Sequence, residues 1–356
     1  MKRLYFFCVL IFFSVKSFSQ TATCAQTLRL ARATYEQGRL HEIESQLKGC
    51  LETGFTKDEK QLKVEGYKLL CLSYIYLEEP EKADEAMLNI LKADHDFQIN
   101  PAIDPAEFIG LYNTFRSKPL FSFGLFVGPN ASFPTVTENF AISSSAAGLG
   151  KYSTKVSVQI GLAFEKHLAG KFTAAPELSL SNRAFSYSNP KLFTYDSSQN
   201  SSARGTGDIK QSWLDLNLLV QYKVGKRALN SYVSFGPNIG LLLNTTNALE
   251  TKFTTGTVTS GPPIDFKSNH KSLGFSLIGA AGIKYKFGAV YITANVRYQF
   301  GLSKVIDVDK KSNPVATFDN LYSSNVYSQQ NTAVLVGFIF PFFNPKKLNV
   351  PKKSTK

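Results

Sequence analysis

The chain has 356 residues, room for two domains, and at 43% hydrophobic it carries no surplus of apolar side chains. After the first residues no stretch reaches 18 consecutive apolar positions, which excludes a later membrane-spanning helix and leaves a closed barrel or surface contact as routes to a bilayer. The formal net charge is +13, yet the basic residues are scattered, without the clustered stripe that a phosphate backbone selects, so nucleic acid is not expected as a partner.

Met1 to Gln20 open with Lys2 and Arg3, continue through the apolar run Leu4 to Val15, and close on Ser17-Phe18-Ser19, with small residues where a signal peptidase reads. The expectation is a signal peptide over 1–19. The run is shorter than the roughly 20 residues a spanning anchor needs. Thr21-Ala22-Thr23 ahead of Cys24 also lacks the Leu-Ala-Gly type approach to a lipidated cysteine.

Composition changes near Lys118-Pro119. Residues 20–118 hold 12 basic and 16 acidic side chains, residues 119–356 hold 25 and 11, and five lysines fall in the last 11 residues. Helical periodicity before the boundary predicts helices at 22–37, 39–53, 57–77, 80–95 and 104–116, punctuated by Gly38, Gly54 and Pro80. Pro80 suits a first helical turn, where its missing N–H has no intrahelical partner. A hairpin turning near Gly38 brings Cys24 and Cys50 to one level, so a disulfide between them is a candidate for an oxidising compartment. Cys71 reads as a small buried apolar residue; with Cys8 inside the expected signal peptide, three cysteines remain, an odd number that leaves the pairing open.

Two of these hairpins resemble tetratricopeptide repeats over about 70 residues. In the better one Tyr67, Leu70, Cys71 and Tyr74 take the packing positions of the first helix and Ala83, Met87 and Ile90 those of the second. In the other, Leu30, Ala31, Gly38, Ile43 and Leu47 fit. The resemblance implies a surface that holds a peptide or a partner helix; the alternative is the core of a plain helical spacer.

After the boundary the period is two. Leu214, Leu216, Leu218, Val220, Tyr222 and Val224 alternate with Asp215, Asn217, Gln221 and Lys223; Val290, Ile292, Ala294, Val296, Tyr298 and Phe300 do so with Thr293, Asn295, Arg297 and Gln299. Eight such segments are predicted, at 120–134, 153–168, 171–187, 211–225, 230–244, 272–287, 289–302 and 331–344, each long enough to cross a bilayer as a tilted strand. Short connections at Ala169-Gly170, Gly225-Lys226 and Gly288 alternate with long Ser/Thr/Asn-rich ones, the rhythm of an outer-membrane barrel with both ends in the periplasm. A water-soluble sandwich or lipocalin-like barrel would need an apolar inward set, whereas the set here is polar, and aromatics such as Phe121, Phe123, Tyr285, Phe287, Phe340 and Phe342 recur at segment ends.

Phe123-Gly124-Leu125-Phe126-Val127-Gly128, Phe235-Gly236-Pro237-Asn238-Ile239-Gly240 and Gly279-Ala280-Ala281-Gly282-Ile283 make residues 119–344 resemble the PorT-like outer-membrane β-barrel domains of Bacteroidetes. The resemblance implies an architecture and a link to envelope secretion, and brings no catalytic residues. The fold expected is therefore multidomain: signal peptide 1–19, a periplasmic all-α helical-hairpin (tetratricopeptide-like) domain 20–118, an eight-stranded antiparallel transmembrane β-barrel 119–344, and a basic periplasmic tail 345–356.

The register turns Glu165, Glu177, Arg183, Asp215, Lys223, Lys284 and Arg297 inward, where a barrel of this size is filled by side chains. They are expected to form a charge-paired plug; an ion or proton path is the alternative. His41, His95, His167 and His270 have no metal-ligand spacing, and no cofactor is expected. Some small barrels resembling lipid-A deacylases or palmitoyl transferases catalyse with a His-Ser pair, but His167, beside Ser157 the nearest candidate, precedes a periplasmic turn, so an enzyme is not expected. Loops 188–210 and 245–271, bearing Phe193, Tyr195, Phe253 and Phe266, are candidates for an extracellular contact. The expected function is a barrel in outer-membrane lipid that anchors an interaction module for an envelope or secretion protein. The alternative is a surface-facing adhesin or small-solute binder with the helices as a spacer.

Overall fold

The computed structural model describes residues 23–55, 59–140, 150–194, 201–224 and 229–348; the signal peptide expected over 1–19 and the end of the basic tail lie outside these. The chain forms two compact units, one comprising the helices together with the segment from Asn344, the other Pro119–Phe343.

The first unit contains α1 (Cys24–Glu36), α2 (Ile43–Gly49), α3 (Lys60–Tyr76), α4 (Pro80–Ala93) and α5 (Ala106–Asn113). A capping box starts α1: the Thr23 hydroxyl accepts from the Gln26 N–H and the Gln26 side chain accepts from the Thr23 N–H. Gly38, at φ +77°, lets the chain leave α1 in the left-handed conformation that a side chain disfavours. The helix expected over 39–53 is regular only across α2. A 3-10 turn precedes it and a π turn, Cys50–Gly54, follows Gly49, a poor helix former.

Leu28, Ala31, Ile43, Leu47, Leu70, Cys71, Ala83, Met87, Ile90 and Phe108 form one core. Leu30 corrects the sequence reading: it is 62% exposed, because helical spacing puts Leu28 and Ala31 on the inner face and turns Leu30 away. The start of the expected basic tail pairs with the helical unit's own chain. Arg116 N–H donates to the Lys346 carbonyl (3.0 Å), Leu348 N–H donates to the Thr114 carbonyl (2.7 Å), and the Arg116 guanidinium donates to the Asn344 carbonyl. Residues 344–348 are thus extended chain paired with the segment after α5, and Lys347 forms an ion pair with Asp84 on α4.

The second unit is an antiparallel sheet of β1 (Phe121–Glu138), β2 (Lys151–His167), β3 (Phe172–Thr194), β4 (Ser201–Lys223), β5 (Leu229–Phe253), the short β6 (Val258–Ser260) and β7 (Ile264–Asp265), β8 (Leu273–Phe287), β9 (Val290–Gly301) and β10 (Val326–Phe342). The eight long strands run in the order β4-β3-β2-β1-β10-β9-β8-β5, and β5 pairs again with β4, so among the described residues each has a neighbour on both sides. Closure leaves no open edge of backbone N–H and C=O groups among them, the condition for strands in hydrocarbon. Around the outside stand Leu125, Leu162, Leu218, Phe235, Val296 and Phe338, all exposed. A water-soluble barrel would have turned such side chains inward.

The alternation reverses along β4. From Tyr222 to Leu214 the apolar residues other than Leu219 face out and Gln221, Asn217 and Asp215 face in; beyond that, Trp213, Ile209 and Ala203 are buried inside while Ser212, Lys210 and Asp208 face out. On β5 an extra residue at the Ser212/Trp213 register shift moves the inward set from Asn238 and Leu242 to Thr245, Asn247 and Leu249. Apolar residues facing out mark hydrocarbon, and apolar residues facing in mark water, so the lipid boundary crosses β4 near Ser212.

That reversal corrects the expected loops 188–210 and 245–271. Much of each is strand, β3 reaching Thr194, β4 starting at Ser201 and β5 reaching Phe253, because the wall continues beyond the lipid around its own apolar core. Tyr195 lies outside the described residues. The segment 302–325, which includes α6 (Pro314–Asn320), folds into that end: its Val305, Ile306, Ala316 and Tyr322 pack with Phe185, Trp213, Leu249, Phe266 and Tyr327. The interior is therefore largely apolar at the far end, and at membrane level its polar side chains are joined by Phe126, Leu219, Ile278 and Leu335, where a wholly polar inward set was expected.

Gly128-Pro129-Asn130 and Gly236-Pro237-Asn238 occupy β1 and β5, where a Cβ on either glycine would stand 2.0 Å from a neighbouring strand's carbonyl, that of Val334 or Leu218. Each glycine precedes a proline that has no N–H to give the ladder. Gly128→Ala and Gly236→Ala should each strongly reduce the yield of folded barrel, measured as the fast-migrating unheated form on a gel. Gly279→Ala, where the Cβ meets nothing within 4 Å, should leave that yield unchanged.

Candidate functional site

The membrane-level interior holds three ion pairs among the described residues, each joining different strands. Nearest the short turns, Lys284 (β8) donates to both oxygens of Glu165 (β2) at 2.7 Å and to Gln221 at 2.8 Å, with its ammonium 4.8 Å from the centre of the Tyr232 ring. In the middle, Arg297 (β9) forks onto Glu177 (β3) at 2.7 and 3.2 Å while Asn217 donates to the same carboxylate. Towards the far end, Arg183 (β3) donates to Asp215 (β4) at 2.7 and 2.9 Å, Ser181 and Asn238 donate to that carboxylate, and the guanidinium lies over Trp213.

The Arg183–Asp215 and Arg297–Glu177 side chains are at most 7% exposed, so each charge depends on its partner rather than on water. Lys223 does not join these pairs: it stands exposed at the end of β4, where water reaches its ammonium. A cavity beside Arg183, Asp215 and Gln299 measures about 20 Å³, space for about one water molecule.

At the far end Tyr152, Phe185, Tyr187 and Tyr327 meet in tilted and edge-to-face contacts, and Tyr322 of segment 302–325 meets Tyr187 edge to face. His270 sits in this cluster, its Nδ1 2.8 Å from the Phe266 carbonyl and its Nε2 3.3 Å from the Tyr327 hydroxyl. The carbonyl fixes the proton on Nδ1 as donor, leaving Nε2 to accept. Burial pushes the imidazole down to about 4, outweighing the upward pull of the Phe266 carbonyl and Asp265. Ser157 and His167 lie ten positions apart on β2, about 33 Å along an extended strand, so they form no pair. Among the described residues no group of three or more His, Cys, Asp or Glu could hold a metal ion.

In the helical unit Cys24 and Cys50 are disulfide-bonded with Cα atoms 5.4 Å apart, tying the start of α1 to the end of α2. Cys71 donates to the Ala83 carbonyl, and burial pushes its thiol up to about 12, which keeps it protonated and unreactive. Tyr67 is partly buried beside Leu70 and Tyr74. One groove, of about 300 Å³, is lined by Lys48, Tyr67, Tyr74, Lys82 and Glu85. Lys82 bonds to Glu44 and Glu79 and lies over the Tyr74 ring, and hydrogen bonds from Lys82 and from Tyr74 hold the Glu44 carboxyl below its usual range. A second groove lies between the α3–α4 turn and α5. Neither the far-end cluster nor the Lys347–Asp84 pair was found by sequence reasoning. Ile306, Tyr322 and Tyr327, apolar in a region read as loop or strand start, were the available signal.

Residues 113–307 match the family model described as outer membrane protein beta-barrel domain. No curated protein matches the chain. Solved structures to which it is similar include the outer membrane protein OprG from Pseudomonas aeruginosa, 17% identical over 64% of this chain and 98% of that one, with a TM-score of 0.35. They also include the E. coli outer membrane protein W, 14% identical over 63% and 99%, TM-score 0.31, and neisserial surface protein A, 10% identical over 64% and 97%, TM-score 0.29.

Removing one partner of a buried pair strands the other, at a cost of about 3–5 kcal/mol. Arg297→Met should therefore lower the thermal midpoint of the folded barrel markedly, and adding Glu177→Met should recover most of the loss, read from heat-dependent gel mobility. His270 supplies a pH dependence. Its folded value lies below the free value of 6.5, so its contribution to stability is present above about 6.5 and is lost as pH falls towards 4. Hydrogen exchange in 302–325 should speed up over that window, and His270→Phe should flatten the change.

Proposed function

Starting from the fact that this chain belongs to the outer membrane protein β-barrel domain family, we propose that its barrel is a membrane anchor for the helical unit. The observation that carries this reading is the filled interior. Three ion pairs occupy the membrane level and an aromatic cluster with 302–325 occupies the far end, an interior that among the described residues is filled by side chains rather than open to a solute. Open grooves are present on the helical unit.

In this proposal the short-turn end of the barrel, the helical unit and residues 344–356 face the periplasm, an oxidising compartment that suits the Cys24–Cys50 bond. The helical unit acts as a tetratricopeptide-like module: α3 and α4 pack through Tyr67, Leu70, Cys71 and Tyr74 against Ala83 and Met87. Its partner is an envelope or secretion protein, in keeping with the PorT-like resemblance of the barrel, and no catalytic step is assigned. Cross-linking in intact cells followed by capture from detergent extract tests this. The full chain should recover an envelope protein that a variant lacking residues 24–116 loses while staying in the outer membrane. Equal recovery by both would overturn it.

A surface-facing adhesin is the second reading, favoured by Phe318, 83% exposed on α6, with Val315 beside it at 52%. It requires Phe318→Ser to reduce binding of intact cells to a surface or partner.

A further inference from the structure

The groove between the α3–α4 turn and α5 combines an apolar floor with an acidic rim. Ile75, Pro80, Ala83 and Leu111 form the floor of a space of about 480 Å³. Glu78, Glu79, Asp84 and Glu107 surround it, and the one cation lining it among the described residues is Lys347, contributed by the chain's own C-terminal segment. We infer that this groove binds an extended, lysine- or arginine-bearing segment of a partner protein, a conclusion that rests on the helical unit being an interaction module.

Two observations select that occupant. The first is charge. A ring of carboxylates around apolar side chains matches a strand that alternates cationic and apolar residues, since side chains of an extended segment point alternately to the rim and to the floor. The second is the chain's own example. Residues 344–348 lie extended against Thr114–Arg116, held by backbone hydrogen bonds from both segments, and deliver the Lys347 ammonium to Asp84. The same geometry continued along the groove would bring further cations to Glu78 and Glu107, Glu79 being already paired with Lys82. Gly110 leaves the approach clear: it is exposed on α5, and a Cβ there would meet nothing within 4 Å.

The space at Gly110 allows the groove to be filled without disturbing the core. Gly110→Leu places a side chain in the groove and adds a better helix former to α5. The full chain in a non-ionic detergent is titrated, by fluorescence anisotropy, into a labelled peptide alternating lysine and leucine, with a peptide carrying glutamate for lysine as the comparison. The lysine peptide should bind, and the glutamate peptide should bind at least about tenfold more weakly. Gly110→Leu and Glu107→Lys should each weaken the lysine peptide about tenfold, and binding should fall as salt rises. Lys347→Ala should tighten binding severalfold, because the chain's own lysine no longer competes for Asp84.

Equal affinity for the two peptides, or no response to Gly110→Leu in a chain with unchanged circular dichroism, overturns the inference. So does concentration-dependent dimerisation that Lys347→Ala abolishes, which would make a second copy the occupant. Loss of partner capture on deleting residues 24–116, together with a groove that ignores the peptides, would remove this inference and leave the interaction module standing. Capture unaffected by the deletion would remove both.

Discussion

Every strand that passes through hydrocarbon must find partners for its backbone N–H and C=O groups within the protein, and this chain meets that demand by closing a ladder of eight long strands on itself. Closure imposes the rest. It divides every strand into a lipid face and an interior face, and a cylinder of this size leaves an interior that side chains must fill. The charged pairs are a solution to that packing demand. Each acid meets a base held on another strand, and amides and hydroxyls from Asn217, Gln221, Ser181 and Asn238 occupy the remaining lone pairs of the carboxylates.

The helical unit is governed by a different solvent and a different rule. Its core is a conventional apolar one, from Leu28 to Phe108, stapled by one disulfide near the start of α1. Apart from Asp104, buried against Lys68, its charged residues lie towards the surface, where Lys82 serves two carboxylates at once and Lys347 reaches Asp84 from the far end of the sequence. The barrel directs its specificity inward. The helices leave theirs available at the surface.

How much of this could be read from the sequence depends on the range of the interaction. The alternation of Leu214 to Val224 announces a strand with one lipid face, because period two is local. The inward direction of Glu177 and Asp215 follows from the same register. The partner of each does not, since Arg297 stands 120 positions from Glu177 and only the closed sheet brings them together. The strand extensions were misread for a related reason: outward apolar residues were taken to define a strand, and beyond Ser212 the outward residues become polar while Ile209 and Ala203 turn in. Leu30 was lost to a loose repeat pattern where the plain helical spacing of Leu28 and Ala31 was decisive. The tail's attachment to Thr114–Arg116 rests on backbone hydrogen bonds, which leave no mark in side-chain identity, and on the Arg116 and Lys347 side chains, whose partners stand more than 200 positions away.

The reversal of faces along β4 and β5 also bears on how the protein enters its membrane. The strand tips beyond the lipid carry Arg204, Asp208, Lys210, Glu250 and Lys252 on their outer surface, and if that end leads through the bilayer each Arg or Lys meets a barrier of the order of 2–4 kcal/mol at the midplane, and each Asp or Glu a smaller one. Insertion then resembles the setting of a barb: slow to drive through without assistance, and resistant to withdrawal once the charged tips have emerged into water.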